Sequence, residues 1–512
     1  MSGRTPEESS TSGEDQRGAD VAESGSAHDA ALTELLSSPL LAGPDPAIVA
    51  DVRAQDSAEE AREQAALDLE VSAIYEKILT RAPEHDFDPS ISRMQRACEL
   101  LGDPQDTCPV VHITGTNGKT STARMVEALL AERGLRVGRF TSPHLHDVRE
   151  RLVIDGEPIT AQRFVDTYHE IEPFIEMVDA ESRANGGPQL SFFEVFTLMA
   201  FAAFASAPVD VMVLEVGMGG RWDATNVANA DVAVLTPIAR DHERYLGTEL
   251  TEIAGEKVGI ITEGSTVISV HQREEVAPVI AQACAEAGAR LVCEGADMHV
   301  LDRQVAVGGQ FMSLRTPAAT YTDILLSLHG AHQAHNALVA LAATEALFGG
   351  AALSGEVVER AFQSVRSPGR LEVVRTSPTV IVDAAHNPHG VAAVVETLGE
   401  TFTLSRLVAV VGVLKDKNAE AMLAELEPHV AAVVCTQVFS ERAMDASELA
   451  EIAREVFDPD LVHVAASLAD AIDQAATLAE SGGEPAAGTG VLVIGSVYLA
   501  AAAREVLGQR KA

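Results

Sequence analysis

The chain has 512 residues, 46% of them hydrophobic and only 4% aromatic, with 37 Lys and Arg set against 76 Asp and Glu. That length allows two or three cores built from Ala, Val, Leu and Ile, and the formal charge of −39 argues against nucleic acid or a membrane surface as partner. Five cysteines, an odd number with no CxxC pair, argue against a disulfide framework or a zinc site; no uncharged apolar run approaches a membrane span, so a cytoplasmic location is expected.

Residues 1–66 form an acidic tail. The first 65 carry 14 acids, four Arg and no aromatic side chain, too little apolar surface to offset chain entropy, so the tail is expected to be disordered apart from short helical patches at 47–52 and 58–66. Packed structure is predicted from residue 67. A helix over 91–101 is followed by a short apolar strand at 110–113, a Gly-rich turn, and a helix over 120–133 closed by Gly134. Further strands are predicted at 137–141, 209–215, 231–236 and 266–269, with helices over 192–204, 250–259 and 334–347. Residues 366–369 read as a linker. Beyond it a second α/β unit has strands at 380–383, 407–412, 431–435 and 491–494. The predicted class is α/β: a large P-loop ATPase domain with a parallel sheet (67–367) and a smaller Rossmann-like C-terminal domain (368–512).

The most informative motif is Thr114-Gly115-Thr116-Asn117-Gly118-Lys119-Thr120-Ser121, between a strand and a helix. There, backbone N–H groups and a helix N-terminus can wrap an anion, Lys119 can reach the β- and γ-phosphates, and the Thr120 hydroxyl can meet magnesium. Two residues separate the glycines instead of the usual four, so the strand-turn-helix setting is what gives the motif its weight. Glu215 ends an apolar strand before a Gly-rich turn, at the sheet edge where open α/β folds bind ligands. Ser142 and His242 follow other strands at the same edge. Lys257 sits on a helix, where lysine is ordinarily solvated. Phe192 and Phe193 are adjacent on a helix and are either core or ligand platform. Asn336 offers a two-sided amide suited to adenine, and Arg370 a guanidinium fork for phosphate.

These positions belong to an ordered set. It includes Thr141-Ser142-Pro143-His144, Glu150-Arg151, Ser191-Phe192-Phe193-Glu194, Glu215-Val216-Gly217-Met218-Gly219-Gly220-Arg221 and Asp223-Ala224-Thr225-Asn226. It continues through Asp241-His242, Glu256-Lys257-Val258-Gly259-Ile260, His332-Gln333 with Asn336, Pro368-Gly369-Arg370, Asp383-Ala384-Ala385-His386-Asn387-Pro388, Asp416-Lys417 and Gly495-Ser496-Val497-Tyr498. The set resembles the Mur ligase superfamily, and within it the folylpolyglutamate synthase branch. The resemblance implies an ATP-dependent ligase of L-glutamate with dihydropteroate and with folylpolyglutamates, acting through an acyl phosphate. It implies ATP on Gly115 to Ser121 (Gly115, Thr116, Asn117, Gly118, Lys119, Thr120, Ser121), with Asn336, Arg370 and Asp383. Magnesium is implied on Ser142, Glu215 and His242, and a second ion on Lys257 if that amine is carbamylated. Lys119, Lys257 and His386 are implied in catalysis; Phe193, Arg151, Asp223, Ser496 and Tyr498 are implied at the folate and glutamate. A monomer acting on small molecules is the implied state. A peptidoglycan-type Mur ligase fits less well, because only about 45 residues precede the turn after the tail.

Overall fold

The computed structural model describes residues 46–83, 89–482 and 488–509, with side chains from residue 59 onward. The chain divides into two units between Asp68 and Leu69. Of the first, the described part is the opening of helix Pro46–Leu79. Residues 1–45, most of the predicted tail, lie outside the described residues, whereas 46–66 are helical instead of merely patchy. Ala, Glu, Gln and Arg make up most of that stretch, and each loses little freedom on entering a helix. In the second unit the same helix buries Val71, Ile74 and Ile78 on one stripe.

The second unit is organised by two large sheets. The first contains β1 (Val110–Thr114), β2 (Val137–Phe140), β3 (Leu152–Ile154), β4 (Glu157–Pro158), β5 (Val211–Glu215), β6 (Val232–Leu235), β7 (Thr266–Ser269) and β8 (Arg290–Cys293). Their order is β4-β3-β2-β5-β1-β6-β7-β8. From β2 to β8 all pairs are parallel; β3 and β4 run antiparallel at one edge. β1 and β5 are buried along their whole length, which is why they read as unbroken apolar runs. The winding order of the strands switches at β1, whose parallel neighbours are β5 and β6 (Ile113 beside Glu215, Thr114 beside Leu235), and a crevice opens beyond their carboxyl ends.

Helices Lys119–Glu132, Ala331–Leu347 and Gly355–Ser364 share the core on one face. On the other, helix Phe192–Ser206 is buried from Phe192 through Phe204, between the sheet and helices Ser92–Leu100 and Ala161–Ala184. An all-round apolar helix fits only such a site. Outside the predicted elements are helix Ala161–Ala184 and an antiparallel sheet of β9 (His299–Ala306), β10 (Gly309–Arg315) and β11 (Thr320–Leu326).

The C-terminal sheet comprises β12 (Glu372–Thr376), β13 (Thr379–Val382), β14 (Arg406–Val411), β15 (Ala432–Cys435), β16 (Val462–Val464) and β17 (Thr489–Ile494), in the order β12-β13-β17-β14-β15-β16. Only β12 is antiparallel to its neighbour. No helix of the described residues is long and apolar enough to cross a membrane.

Candidate active site

The turn after β1 is shaped by its glycines. Gly115 has φ of +146°, and a Cβ there would fall 1.9 Å from Thr236 Oγ1. Gly118, at φ +89°, begins helix Lys119–Glu132, and its Cβ would fall 2.6 Å from Asn336 Oδ1. Thr116 fastens the turn to the segment after β6, donating through N to Pro237 O (2.8 Å) and through Oγ1 to Ala239 O (2.9 Å). Lys119 is folded back onto its own turn, with Nζ 3.2 Å from the carbonyls of Gly115 and Thr116. Burial lowers its pKa, while Glu215 and Asp241 oppose that shift. Ser121 lies between Ser367 of the linker and Gln333.

Glu215, at the end of β5, is 2% exposed. It accepts from Thr120 Oγ1 at 2.9 and 3.0 Å and from Ser142 N at 3.4 Å. Burial raises its pKa, and the Lys119 charge and the Thr120 hydroxyl oppose the rise. His242 adopts φ +52° at the start of the short helix Glu243–Leu246. Burial lowers its imidazole to about 3, so the ring is neutral and keeps a lone pair. Ser142, Glu215 and His242 all line one cleft of about 300 Å³. Among the described residues no three His, Cys, Asp or Glu side chains form a metal cluster.

Lys257 departs from the ordinary helical lysine. It is 4% exposed and donates to Gly115 O at 2.8 Å. Burial, and then the neighbouring Lys119 charge, bring its pKa down to about 7. Its depth follows from the Gly-rich turn after β5: a Cβ on Gly220 would meet Lys257 O at 2.7 Å, so only glycine lets the helix end settle there.

The C-terminal lobe closes the other side. Asp383, beyond β13, accepts from Leu371 N (2.8 Å) and Ala385 N (2.7 Å), and burial raises its pKa. Asn387 caps helix Pro388–Thr401 by accepting from Gly390 N. The same amide exchanges hydrogen bonds with Asn117 of the phosphate turn, at 3.0 and 3.1 Å, and donates to Asp241 at 3.1 Å. Asp241 also meets Lys417 Nζ at 2.6 Å and lies 3.5 Å from His386 Nε2. Burial favours its neutral form, but the His386 hydrogen bond and the Lys417 charge hold it well below the usual carboxylate range. Ser496 caps helix Val497–Val506, and with Tyr498 it lines the cleft from beyond β17.

Residues 178–344 match the Mur ligase middle domain, and residues 369–497 match the Mur ligase glutamate ligase domain. The dihydrofolate synthase/folylpolyglutamate synthase of Mycobacterium tuberculosis is 50% identical over 448 residues, covering 84% of this chain and 92% of that protein. The chain belongs to the dihydrofolate synthase/folylpolyglutamate synthase family. The Escherichia coli enzyme of the same name is 32% identical, over 83% of this chain and 93% of its own. Crystal structures of the Mycobacterium tuberculosis folylpolyglutamate synthase complexed with ADP and AMPPCP superpose with a TM-score of 0.83 at 48% identity, over 86% of this chain and 99% of that one. Escherichia coli FolC in complex with DHPP and ADP gives 0.71 at 31% identity, over 83% and 95%.

For a member of this family, the cleft gathers nearly all the residues singled out from the sequence. Gly115 to Ser121, Ser142, Phe193, Glu215, Asp223, His242, Lys257, Asn336, Arg370, Asp383, His386, Ser496 and Tyr498 all line it. Arg151 lies apart from this group. It is absent from the cleft lining and 3% exposed, its guanidinium lies 5.1 and 5.4 Å from the Phe192 and Phe196 ring centres, and its Nε donates to His144. Its guanidinium stacks on those rings under the surface. Asp223 is present, but its oxygens accept from Met218 N, Thr225 N and Thr225 Oγ1, so its evident work is holding the Gly-rich turn. Asp241, Asn387 and Lys417 enter the sequence only as members of motifs, and Arg93, Glu194 and Trp222 carry no role there, yet all six line the cleft or bind a residue that does. The Ser191–Glu194 capping spacing was a readable signal for Glu194.

Proposed function

We propose that this chain ligates L-glutamate to dihydropteroate, forming dihydrofolate, and to the γ-carboxylate of folylpolyglutamates, in each case at the cost of ATP. The observation that carries the reading is the P-loop turn held against the C-terminal lobe through Asn117, Asn387 and Asp241. It supports a reaction in which a carboxylate is phosphorylated on one lobe and an amine arrives from the other. A free carboxylate is a poor acyl donor, so it attacks the γ-phosphate and becomes an acyl phosphate, releasing ADP; the glutamate amine then attacks the activated carbonyl, forming the amide and releasing inorganic phosphate and a proton.

The residues divide this work. The turn's backbone and the N-terminus of helix Lys119–Glu132 cradle the phosphates, and Lys119 neutralises charge that develops on the γ-phosphate. Asn336, whose amide faces Gly118, is the proposed partner of the adenine; Arg370 and Asp383 approach from the linker and β13. The lobes enclose the acyl phosphate and exclude water. The donor set suits magnesium: one buried carboxylate (Glu215), the Thr120 and Ser142 hydroxyls and a neutral His242 imidazole, with no all-protein cage, fit an ion that keeps water and phosphate ligands. When bound, magnesium supplies Lewis-acid stabilisation of the phosphate charge. Purified protein with ATP, glutamate and either dihydropteroate or tetrahydrofolate should give a product heavier by one glutamyl unit. A UDP-muramyl acceptor should give none. Product from tetrahydrofolate alone would restrict the chain to folylpolyglutamate synthesis.

Lys257 carries a separate expectation. With its pKa near 7, much of the amine is uncharged at neutral pH, the form that adds CO₂ to become a carbamate. Activity should fall as pH drops below 7 and recover in part with added bicarbonate; Lys257→Arg, permanently charged, should lose the recovery. The sign for stability agrees: the charged amine costs the fold most below pH 7, and the cost disappears as pH rises towards the unfolded value of 10.5. A flat bicarbonate response, and no mass increment of one CO₂ on the intact protein, would remove the carbamate.

A further inference from the structure

The interior of β1 contains a polar residue that the phosphate chemistry does not use. His112 is fully buried, with Leu214 and Ala233 beside it on the flanking strands. Its Nε2 lies 2.8 Å from Thr225 Oγ1, and that hydroxyl lies 2.5 Å from Asp223 Oδ1. A hydroxyl has one proton, and Thr225 gives it to the carboxylate, which also accepts from Thr225 N and Met218 N. His112 is therefore the donor to Thr225, and its own proton sits on Nε2. Nδ1 is then an acceptor, buried and, among the described residues, without a partner. Burial lowers the imidazole to about 3, so the ring is neutral at neutral pH.

An unpaired buried acceptor costs free energy that Val or Leu at the same position would not. What offsets it lies on the same face of the strand. Side chains two apart in a strand share a face, and Thr114, two residues on, donates through Oγ1 to Gly219 O at 2.8 Å. β1 thus grips the segment after β5 twice, at Gly219 through Thr114 and at Thr225 through His112. Between those points Asp223 ties the segment to itself at Met218 N, 3.0 Å away, and Gly217, Met218, Trp222, Asp223 and Ala224 line the cleft. The phosphate turn is fastened elsewhere, to Pro237 and Ala239. We propose that His112 is a positioning residue for the cleft wall formed by residues 217–224: through the Thr225 hydroxyl it sets the Asp223 carboxylate, and with it the backbone against which the acyl substrate packs. This rests on the reading that a carboxylate-bearing acyl substrate shares the cleft with ATP. A displaced wall weakens the hold on the acyl substrate and leaves the nucleotide's grip intact, because the two are anchored to different segments.

The test compares His112→Leu, which fills the space without a donor, with His112→Gln, whose amide N–H can take the place of Nε2–H. In His112→Leu, KM for dihydropteroate should rise about tenfold, as expected for one lost buried hydrogen bond, with KM for ATP within about twofold of native. In His112→Gln, KM for dihydropteroate should return to within about threefold of native. A side chain that merely fills the core would show the opposite order, with the apolar Leu at least as good as Gln; that result, or equal movement of the two KM values, overturns the proposal. If His112→Leu does not fold, Thr225→Val breaks the same chain one link on: the same tenfold rise upholds the proposal, and an unchanged KM for dihydropteroate overturns it. NMR of the imidazole nitrogens in the native protein needs no variant. The proton should be on Nε2, and a proton on Nδ1 overturns the proposal, because Thr225 would then donate to the ring and release Asp223. Native protein that ligates glutamate to neither dihydropteroate nor tetrahydrofolate, with the proton on Nε2, shows instead that the functional reading has failed.

Discussion

Replacing Lys119 with Ala should lower the ligation rate by about 10²–10³-fold or more, the usual effect of removing one preorganised donor from a developing anion, without lowering thermal stability. The two halves of that expectation have different origins. The rate effect follows from position: the ammonium stands at the first residue of helix Lys119–Glu132, within 3.2 Å of the turn's own carbonyls, where the terminal phosphate of a nucleotide would be cradled. The stability half follows from sign. Burial lowers the pKa of Lys119, so at neutral pH its charge costs the folded state free energy, and removing it withdraws that cost. Ligation assayed by product mass, beside a melting curve, separates the two. Near-normal turnover in the variant would take the phosphate role away from this residue.

Gly115→Ala should be more damaging to binding and also to the fold. The new methyl would arrive 1.9 Å from Thr236 Oγ1 and 2.9 Å from Thr236 Cβ, at a backbone φ of +146° that other residues rarely adopt. Strain and overpacking of this kind cost about 1–3 kcal/mol each. The turn cannot yield quietly, because Gly115 O accepts from both Lys119 and Lys257. ATP affinity should fall by about tenfold or more, with a lowered Tm, since 1.4 kcal/mol already corresponds to a tenfold change. Adding Thr236→Ala removes the oxygen but neither the Cβ contact nor the positive φ, so recovery should be partial. Unchanged nucleotide affinity in Gly115→Ala would mean that the turn has another conformation available to it.

Much of this is legible in the amino-acid sequence. Strands such as Val211–Glu215 and Thr489–Ile494 are buried on both faces and therefore announce themselves as apolar runs. The glycines of the phosphate turn announce a backbone that side chains would obstruct. Helix Ala161–Ala184 was obscured by Pro173 in its interior, which weakens the local signal that its buried Phe164, Ile171, Ile175 and Val178 would otherwise give. The three-stranded sheet mixes buried and exposed positions without long apolar runs, so nothing local marks it. Arg151 looked like a ligand group because it sits among motif residues; only the packing of Phe192 and Phe196 shows it covered. The gathering around Asp241 is invisible in a linear reading, since Asn387 is 146 positions away and Lys417 is 176.

The paired amides of Asn117 and Asn387 have a consequence for how such a protein can vary. Each supplies the donor the other accepts, and Asn387 starts a helix while Asn117 belongs to the phosphate grip. Mutational drift at one site leaves its opposite number with mismatched polarity in a confined space, so viable replacements have to arrive in couples. A sequence change at one end of the polypeptide is thereby answerable to a residue 270 positions downstream.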